Sequence, residues 1–476
     1  MKGLEQVCKT KPYQHQLKAL QYGHNHKLYA YFMEMGTGKT KVAIDNANYL
    51  YDIEEINDVV VIAPNSVYRN WQNEIYTHSK KEPKIFVWKQ HKVAKLEKYD
   101  FKDFFFLLMN VESLSRSNGI GYKFLKKHLM KRGKNTLLIV DESTTIKNKQ
   151  AQRTKALCEL GKLAKYRRIL TGSPVTKSPL DLYTQCEFLS KDCLGFSSYY
   201  TFRNRYAIMK EIFVNGFNQK FPIKYINLEE LEQKLKSFSF RCKKSECLDL
   251  PDKIPSQRTI EMTPEQIRVY TKLKREARAV IEDKEVSFTN KLTEIIKLHQ
   301  VCCGFSKTDD GEVITFGQNP KLKELKRILA ETDEKSIIWA NYIHNIKEIT
   351  QMLKETYGQE AVVSLYGEVS IEDRTDSVKR FQDDPRCRFL VGNPSVGGYG
   401  LTLTAAGNVI YFSNSYNLEH REQSEDRAHR IGQEKFVNYI DLVVPKTIDE
   451  LILKSLQNKK ALSEEILGDN IKQYLV

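Results

Sequence analysis

The run Tyr29-Ala30-Tyr31-Phe32-Met33-Glu34-Met35-Gly36-Thr37-Gly38-Lys39-Thr40 decides how this chain folds. It begins as an apolar strand, turns on two glycines and opens an amphipathic helix that continues to Tyr51. Glycines let backbone N–H groups turn toward phosphate oxygens, and a helix N-terminus favours negative charge. The predicted cradle is Met35, Gly36, Thr37, Gly38, Lys39 and Thr40, with Lys39 on the terminal phosphates and Thr40 ligating Mg²⁺. Met33 stands where the full G-x-x-x-x-G-K-T pattern has its first glycine, so the strand–loop–helix context carries the assignment.

A phosphate loop that hydrolyses its nucleotide needs carboxylates at the end of a nearby buried strand. Leu137-Leu138-Ile139-Val140-Asp141-Glu142 provides them. Asp141 is the expected Mg²⁺ residue, and Glu142 the base that orients and deprotonates water. Either carboxylate alone could be a solvated loop residue; strand, loop and acid pair together point to an ATPase.

Around these motifs, short β-rich runs alternate with helical patterns, the signature of parallel sheets covered by helices. In the first half the expected strands are Leu28–Met33, Asp58–Ala63, Phe104–Asn110, Thr136–Val140 and Arg168–Thr171. In the second half they are Ser336–Ala340, Ala361–Leu365, Phe389–Gly392, Val409–Phe412 and Asn438–Val444. Two tandem α/β domains follow: residues 1–250, with a helical insertion over about 191–250, and residues 251–476, with one over about 261–310. Leu250-Pro251-Asp252-Lys253 is the expected hinge.

The 476 residues carry a net charge of +15. Residues 1–250 hold 43 Lys+Arg against 25 Asp+Glu, whereas the remainder is slightly acidic. That asymmetry suggests a polyanion held mainly by the first half; the alternative is a lysine-rich solvated surface. No apolar run reaches membrane-spanning length, and Met-Lys-Gly-Leu-Glu-Gln has no signal-peptide core, so no membrane partner and a cytoplasmic location are expected. Nine cysteines without a Cys-x-x-Cys pair argue against a disulfide frame. Cys242, Cys247, Cys302 and Cys303 fit no familiar zinc spacing and are expected to be buried thiols.

Further motifs give a family resemblance. Glu34–Thr40 and Asp141-Glu142 resemble motifs I and II of superfamily-two helicase-like ATPases. Lys11-Pro12-Tyr13-Gln14 resembles the adenine-reading Q motif, Ile62-Ala63-Pro64-Asn65-Ser66 with Asn70-Trp71 motif Ia, and Leu170-Thr171-Gly172-Ser173-Pro174 motif III. Gly397-Gly398-Tyr399-Gly400-Leu401-Thr402-Leu403 resembles motif V. Gln423-Ser424-Glu425-Asp426-Arg427-Ala428-His429-Arg430-Ile431-Gly432-Gln433 is close to motif VI of the Swi/Snf-type branch. The series runs in order from about Lys11 to Leu467.

The resemblance implies two RecA-like lobes, with Tyr13, Gln14 and Gly400 joining the loop residues around ATP. It implies catalytic roles for Gln423, Arg427 and Arg430, the two arginines lying three apart on a helix. It places contacts to one DNA strand at Ser66, Arg69, Trp71, Asn341, Ser395 and Gly398, although a lone Trp such as Trp71 is more often a packing residue. One departure is Thr144, which stands where the family's D-E-A-H has a relay histidine, so altered coupling is expected. The implied activity is a monomeric translocase on double-stranded DNA without sequence specificity, using ATP and Mg²⁺. Segments resembling Phe202-x-x-Arg205-Tyr206 and Asn227-Leu228-x-x-Leu231 also occur in the fork-remodelling and annealing branch. A strand-separating DNA or RNA helicase, or an ATP-gated clamp acting through a protein partner, are the alternatives.

Overall fold

The computed structural model describes residues 2–64, 68–93, 96, 103–214, 217–282, 288–308, 310–396 and 401–467. Their strands are β1 (Leu28–Met33), β2 (Asp58–Ala63), β3 (Lys84–Val87), β4 (Phe105–Asn110), β5 (Thr136–Asp141) and β6 (Tyr166–Leu170), then β7 (Ala207–Val214), β8 (Phe217–Tyr225) and β9 (Ser239–Cys242). After these come β10 (Lys253–Thr259), β11 (Phe305–Lys307), β12 (Val313–Thr315), β13 (Ser336–Trp339), β14 (Val362–Leu365), β15 (Phe389–Gly392), β16 (Asn408–Tyr411) and β17 (Val437–Val443). The first sheet has the order β3-β4-β2-β5-β6-β1-β9 and the second β10-β17-β16-β13-β15-β14, with parallel pairing throughout both.

Every residue of β2 and β5 is buried, which explains their unbroken Val, Ile and Leu runs: both faces of a parallel sheet are covered by helices. In the second sheet the buried faces divide into two clusters, one around Ile338, Val391 and Ile410 and the other around Trp339, Leu390 and Val409. Alternate residues of each strand thus serve opposite sides.

The ten expected strands all occur, within one or two residues of their expected ends. Three strands of these two sheets escaped the sequence, as did the hairpins β7-β8 and β11-β12. Strands β3 and β10 are sheet edges with half-exposed or exposed patterns, and β10 contains Pro255; edges tolerate both, so no apolar run marks them. Strand β9 is four residues long and lies inside the stretch expected to be helical. That stretch does hold helices Tyr199–Tyr206 and Leu228–Lys236, and also the antiparallel hairpin β7-β8.

By internal packing the chain forms two compact units. One comprises Met1–Ile208, Lys224–Asp249 and the chain from Ala461; the other comprises Met209–Ile223 and Leu250–Lys460. The single cut at 250/251 drawn from sequence is therefore replaced by an interleaved division.

Arg168, fully buried on β6, ties the Gln14–Gly23 helix to the first sheet. Its guanidinium donates to the carbonyls of Gly23, His26, Lys27 and Arg167 and to Asn46 Oδ1, at 2.7–3.1 Å. Burial disfavours its charge, and these oxygens compensate. Arg168→Ala strands several buried acceptors and opens a cavity. It is expected to destabilise the first unit by about 3–5 kcal/mol, read as a lowered denaturant midpoint at unchanged slope.

Candidate active site

In a parallel sheet every strand delivers its C-terminal loop to the same edge, where open α/β sheets bind ligands. Strands β5, β6 and β1 are consecutive neighbours, so Asp141-Glu142, Leu170–Pro174 and the loop from Glu34 emerge side by side. Gly36 and Gly38 have φ of +81° and +88°, left-handed values that side chains rarely adopt. A Cβ on Gly38 would also lie 2.2 Å from Gln16 Nε2. Gly38 precedes the helix Lys39–Asp52, so the loop ends on an open helix N-terminus with Lys39 in its first turn.

Asp141 is the buried centre of this edge. Its Oδ2 accepts from Trp71 Nε1 at 2.8 Å, and its Oδ1 from the Glu142 backbone N–H at 2.9 Å. Burial pushes its carboxyl above the ordinary value, while the Trp71 bond, nearby Lys39 and the Glu142 amide oppose the rise. Glu142 itself sits at φ +48°, ψ +61°, a left-handed conformation costly for a residue with a Cβ. That turn ends β5 and leaves Glu142 buried just beyond it.

These residues suit a nucleotide with its divalent cation. The glycine loop offers amides, Lys39 a cation, Thr40 a hydroxyl at the helix start, and Asp141 a buried carboxylate with lone pairs to spare. Tyr13 is half exposed and Gln14 is exposed. The residue that reaches the loop is Gln16, which sequence reasoning passed over. Its Nε2 donates to Thr37 O at 3.1 Å and its Oε1 accepts from Tyr13 N at 3.0 Å, while His15 Nε2 lies 2.7 Å from Thr37 O.

Trp71 calls for a correction. Its indole is fully buried and donates to Asp141, so the side chain supports that carboxylate and is not exposed for the expected strand contact. The positions Ser66, Gly398 and Gly400 lie outside the described residues, as does the side chain of Arg69.

The missing relay histidine has a visible alternative. Ser143 Oγ donates to Gln185 Oε1 at 2.7 Å, and Gln185 Nε2 donates to Pro174 O at 2.8 Å. Motif II is thereby joined to motif III one residue before Thr144, through a buried glutamine from another helix. Lys147 Nζ adds a bond to Thr176 Oγ1 at 2.7 Å. Gly172 belongs to the same junction, for a Cβ there would lie 3.0 Å from Met35 N.

In the second unit Asn341 and Ser395 follow the neighbouring strands β13 and β15 of its sheet. Asn341 N donates to Ser413 Oγ at 2.9 Å, and Asn341 O accepts from Asn393 Nδ2 at 2.9 Å. Asn393 Oδ1 accepts from the backbone N and the Oγ of Ser395, so one unpredicted asparagine fixes both predicted contacts. Arg427 and Arg430 each donate through Nη1 to Leu401 O at 3.2 Å. The helix that carries Arg427 ends at Ala428, and His429 is non-helical, so Arg430 lies beyond it and not three residues along the same helix. The shared carbonyl, not helical spacing, brings the two guanidiniums together. Gln423 is buried and donates to Glu419 Oε1; its own Oε1 has no hydrogen-bond partner among the described residues.

Parallel sheets, a glycine-cornered loop feeding a helix and a carboxylate pair on the neighbouring strand end define the P-loop class of nucleotide-hydrolysing domains. The profile described as "SNF2-related domain" matches residues 30–306 and that of the "Helicase conserved C-terminal domain" residues 320–432, and the chain belongs to the SNF2-related family.

Among its relatives is YwqA of Bacillus subtilis (strain 168), whose name provisionally assigns it as an ATP-dependent helicase/translocase. It is 28% identical over 453 residues, covering 91% of this chain and 46% of that protein. The mouse "DNA annealing helicase and endonuclease ZRANB3" is 26% identical over 450 residues, covering 91% and 38%. The chain thus spans less than half the length of these relatives. The solved SWI2/SNF2 ATPase core of Sulfolobus solfataricus in complex with dsDNA is 26% identical, with 97% and 94% coverage and a TM-score of 0.45.

Two substitutions separate the roles of the site residues. Lys39→Ala is expected to weaken nucleotide binding severely, whereas Glu142→Gln keeps binding and loses hydrolysis, measured as nucleotide affinity beside turnover. Trp71→Phe keeps the core filled but removes the donor to Asp141. It is expected to lower turnover about tenfold or more with the melting temperature shifted only slightly, as for a displaced metal-site support.

Proposed function

We propose that this chain is an ATP-driven motor that moves along double-stranded DNA without reading its sequence. The observation that carries the hydrolytic half is the junction at the first sheet's edge: Lys39 beside buried Asp141, with Glu142 turned out of the strand in a strained conformation. In this proposal the loop amides and Lys39 bind the phosphates, Asp141 and Thr40 hold the divalent cation, and Glu142 takes a proton from the attacking water. Bound Mg²⁺ supplies charge neutralisation on the β- and γ-phosphates. Arg427 and Arg430 are the proposed stabilisers of charge on the transferred phosphoryl group.

Three observations support the DNA half: the family, the names of the relatives and the positive charge of residues 1–250. The proposed contacts at Asn341 and Ser395 are small polar groups suited to phosphate oxygens, which fix position without identifying bases.

ATPase rates with no nucleic acid, duplex DNA, single strand, forked DNA and RNA test the proposal. Duplex DNA is expected to stimulate most, with little sequence preference. Its log affinity should fall linearly with log salt, by about 0.9 per neutralised phosphate. Stronger activation by single strand at matched nucleotide concentration would favour a strand-separating helicase instead. Arg430→Ala is expected to cost about 10³-fold or more in stimulated rate while leaving nucleotide-free DNA affinity intact.

A further inference from the structure

Behind the phosphate loop lies a group of side chains that hydrolysis does not use. Strand β9 runs beside β1, with Cys242 in register with Met33, and the short helix Lys244–Cys247 follows it. This segment holds the first residue of the loop on three sides. Cys242 O accepts from Glu34 N at 3.0 Å, Lys244 N donates to Glu34 Oε2 at 3.0 Å, and Arg241 Nη2 lies 3.4 Å from Glu34 Oε1. Arg241 Nη1 also donates to Phe32 O and Gly172 O. Glu34 O in turn accepts from Thr37 Oγ1 at 2.7 Å.

The two cysteines of the segment share one acceptor. Cys242 Sγ lies 3.6 Å and Cys247 Sγ 2.9 Å from Lys243 O, which sets the sulfurs side by side. The Cys247 sulfur also faces His15, whose Nε2 is on Thr37 O in the middle of the loop. Cys242 is buried, whereas Cys247 is partly exposed.

We propose that Cys242 and Cys247 form a peroxide-reactive dithiol site, and that its oxidation to an intrachain disulfide loosens the phosphate loop.

The surroundings favour a reactive Cys247. The hydrogen bond from Cys242 and the nearby His15 lower its thiol below the ordinary range, against burial and the negative charge of Glu34. Burial disfavours charge on His15, but the interactions with Cys247 and Thr37 O outweigh it and raise His15 above its ordinary value. The Lys243 carbonyl opposes charge on the Cys247 sulfur, and the Cys242 S–H and the His15 ring offset it. Elsewhere burial pushes thiols the other way, Cys8, Cys158, Cys193 and Cys303 to about 12. A thiolate, not a thiol, attacks peroxide, so the chemistry selects Cys247.

The step balances with hydrogen peroxide as oxidant. The Cys247 thiolate attacks one peroxide oxygen; an S–O bond forms, the O–O bond breaks and hydroxide leaves, giving a sulfenic acid. The Cys242 sulfur then displaces that hydroxyl as its own proton departs, so an S–S bond forms and water is released. Two electrons have passed from the sulfurs to the peroxide. The disulfide takes the negative partner from His15, which meets Thr37 O, and shifts the backbone at Cys242 and Lys244 that holds Glu34, so the supports of both loop residues weaken.

The consequence for turnover rests on the proposed ATP site, whereas the thiol chemistry does not, and the experiment separates them. The reduced 476-residue chain is alkylated with iodoacetamide at neutral pH and each cysteine is followed by peptide mass spectrometry. Cys247 is expected to react about tenfold faster than the others. Treatment with one equivalent of hydrogen peroxide should yield a peptide pair linked through Cys242 and Cys247. Cys242→Ser should instead stop at a dimedone-reactive sulfenic acid on Cys247. Equal alkylation of all cysteines, or a product on any other pair, overturns the site.

Affinity for a fluorescent ATP analogue is then compared in reduced, oxidised and re-reduced protein. Oxidation should weaken it about fivefold or more, dithiothreitol should restore it, and Cys247→Ser should be indifferent to peroxide. A linked pair with unchanged nucleotide affinity overturns the coupling to the loop. Reduced protein that binds no nucleotide removes the ATP-site proposal and the coupling with it, while the mapped peptides still decide the thiol chemistry.

Discussion

The burial of one carboxylate, Asp141, is the constraint from which the first unit's site is built. A buried carboxylate without partners would protonate or unfold its surroundings. Here an indole N–H from Trp71 and the backbone N–H of Glu142 occupy its two oxygens, and Lys39 supplies charge across the sheet edge. Each partner comes from a different element: a helix after β2, the turn after β5 and the helix after β1. Satisfying Asp141 therefore fixes three loops at once. The strained turn at Glu142 follows from the same requirement, because the amide that bonds Asp141 belongs to the residue that must leave the strand.

Around this centre the loop depends on supports of a second kind, polar side chains that reach backbone carbonyls. Gln16 and His15 hold Thr37, Gln185 links Ser143 to Pro174, and Arg241 spans Phe32, Gly172 and Glu34. The second unit repeats the device with Asn393, which holds Asn341 by its carbonyl and Ser395 by its amide and hydroxyl. Side-chain amides suit this task because each offers a donor and an acceptor in one plane, and so can bridge two strand ends.

Elements buried on both faces were legible from sequence, because a parallel sheet demands continuous apolar runs and each such run ends in polar residues. Strands β1, β2, β5 and β15 were located to within a residue on that ground, and the phosphate loop and acid pair with them. Elements that escape this rule were missed. Strand β10 is exposed and carries a proline, and β9 is too short to show a period. The place of Arg430 was misjudged for a related reason: periodicity gives no sign that the helix stops at Ala428, beyond which Arg430 reaches the Leu401 carbonyl.

The sequence by itself determined the parallel α/β architecture, the glycine loop with Lys39, the Asp141-Glu142 pair and the SNF2-type motif series, because these depend on local period and on residue types that few other sites require. The tertiary structure alone decided what holds them. Trp71 proved to be a support for Asp141, Gln16 the glutamine that meets the loop, and Cys247 a thiol set beside Cys242 and His15. These pairings join residues up to 232 positions apart, as His15 and Cys247 are. No spacing rule in one sequence encodes such a contact; it exists only once two strands of the sheet lie side by side.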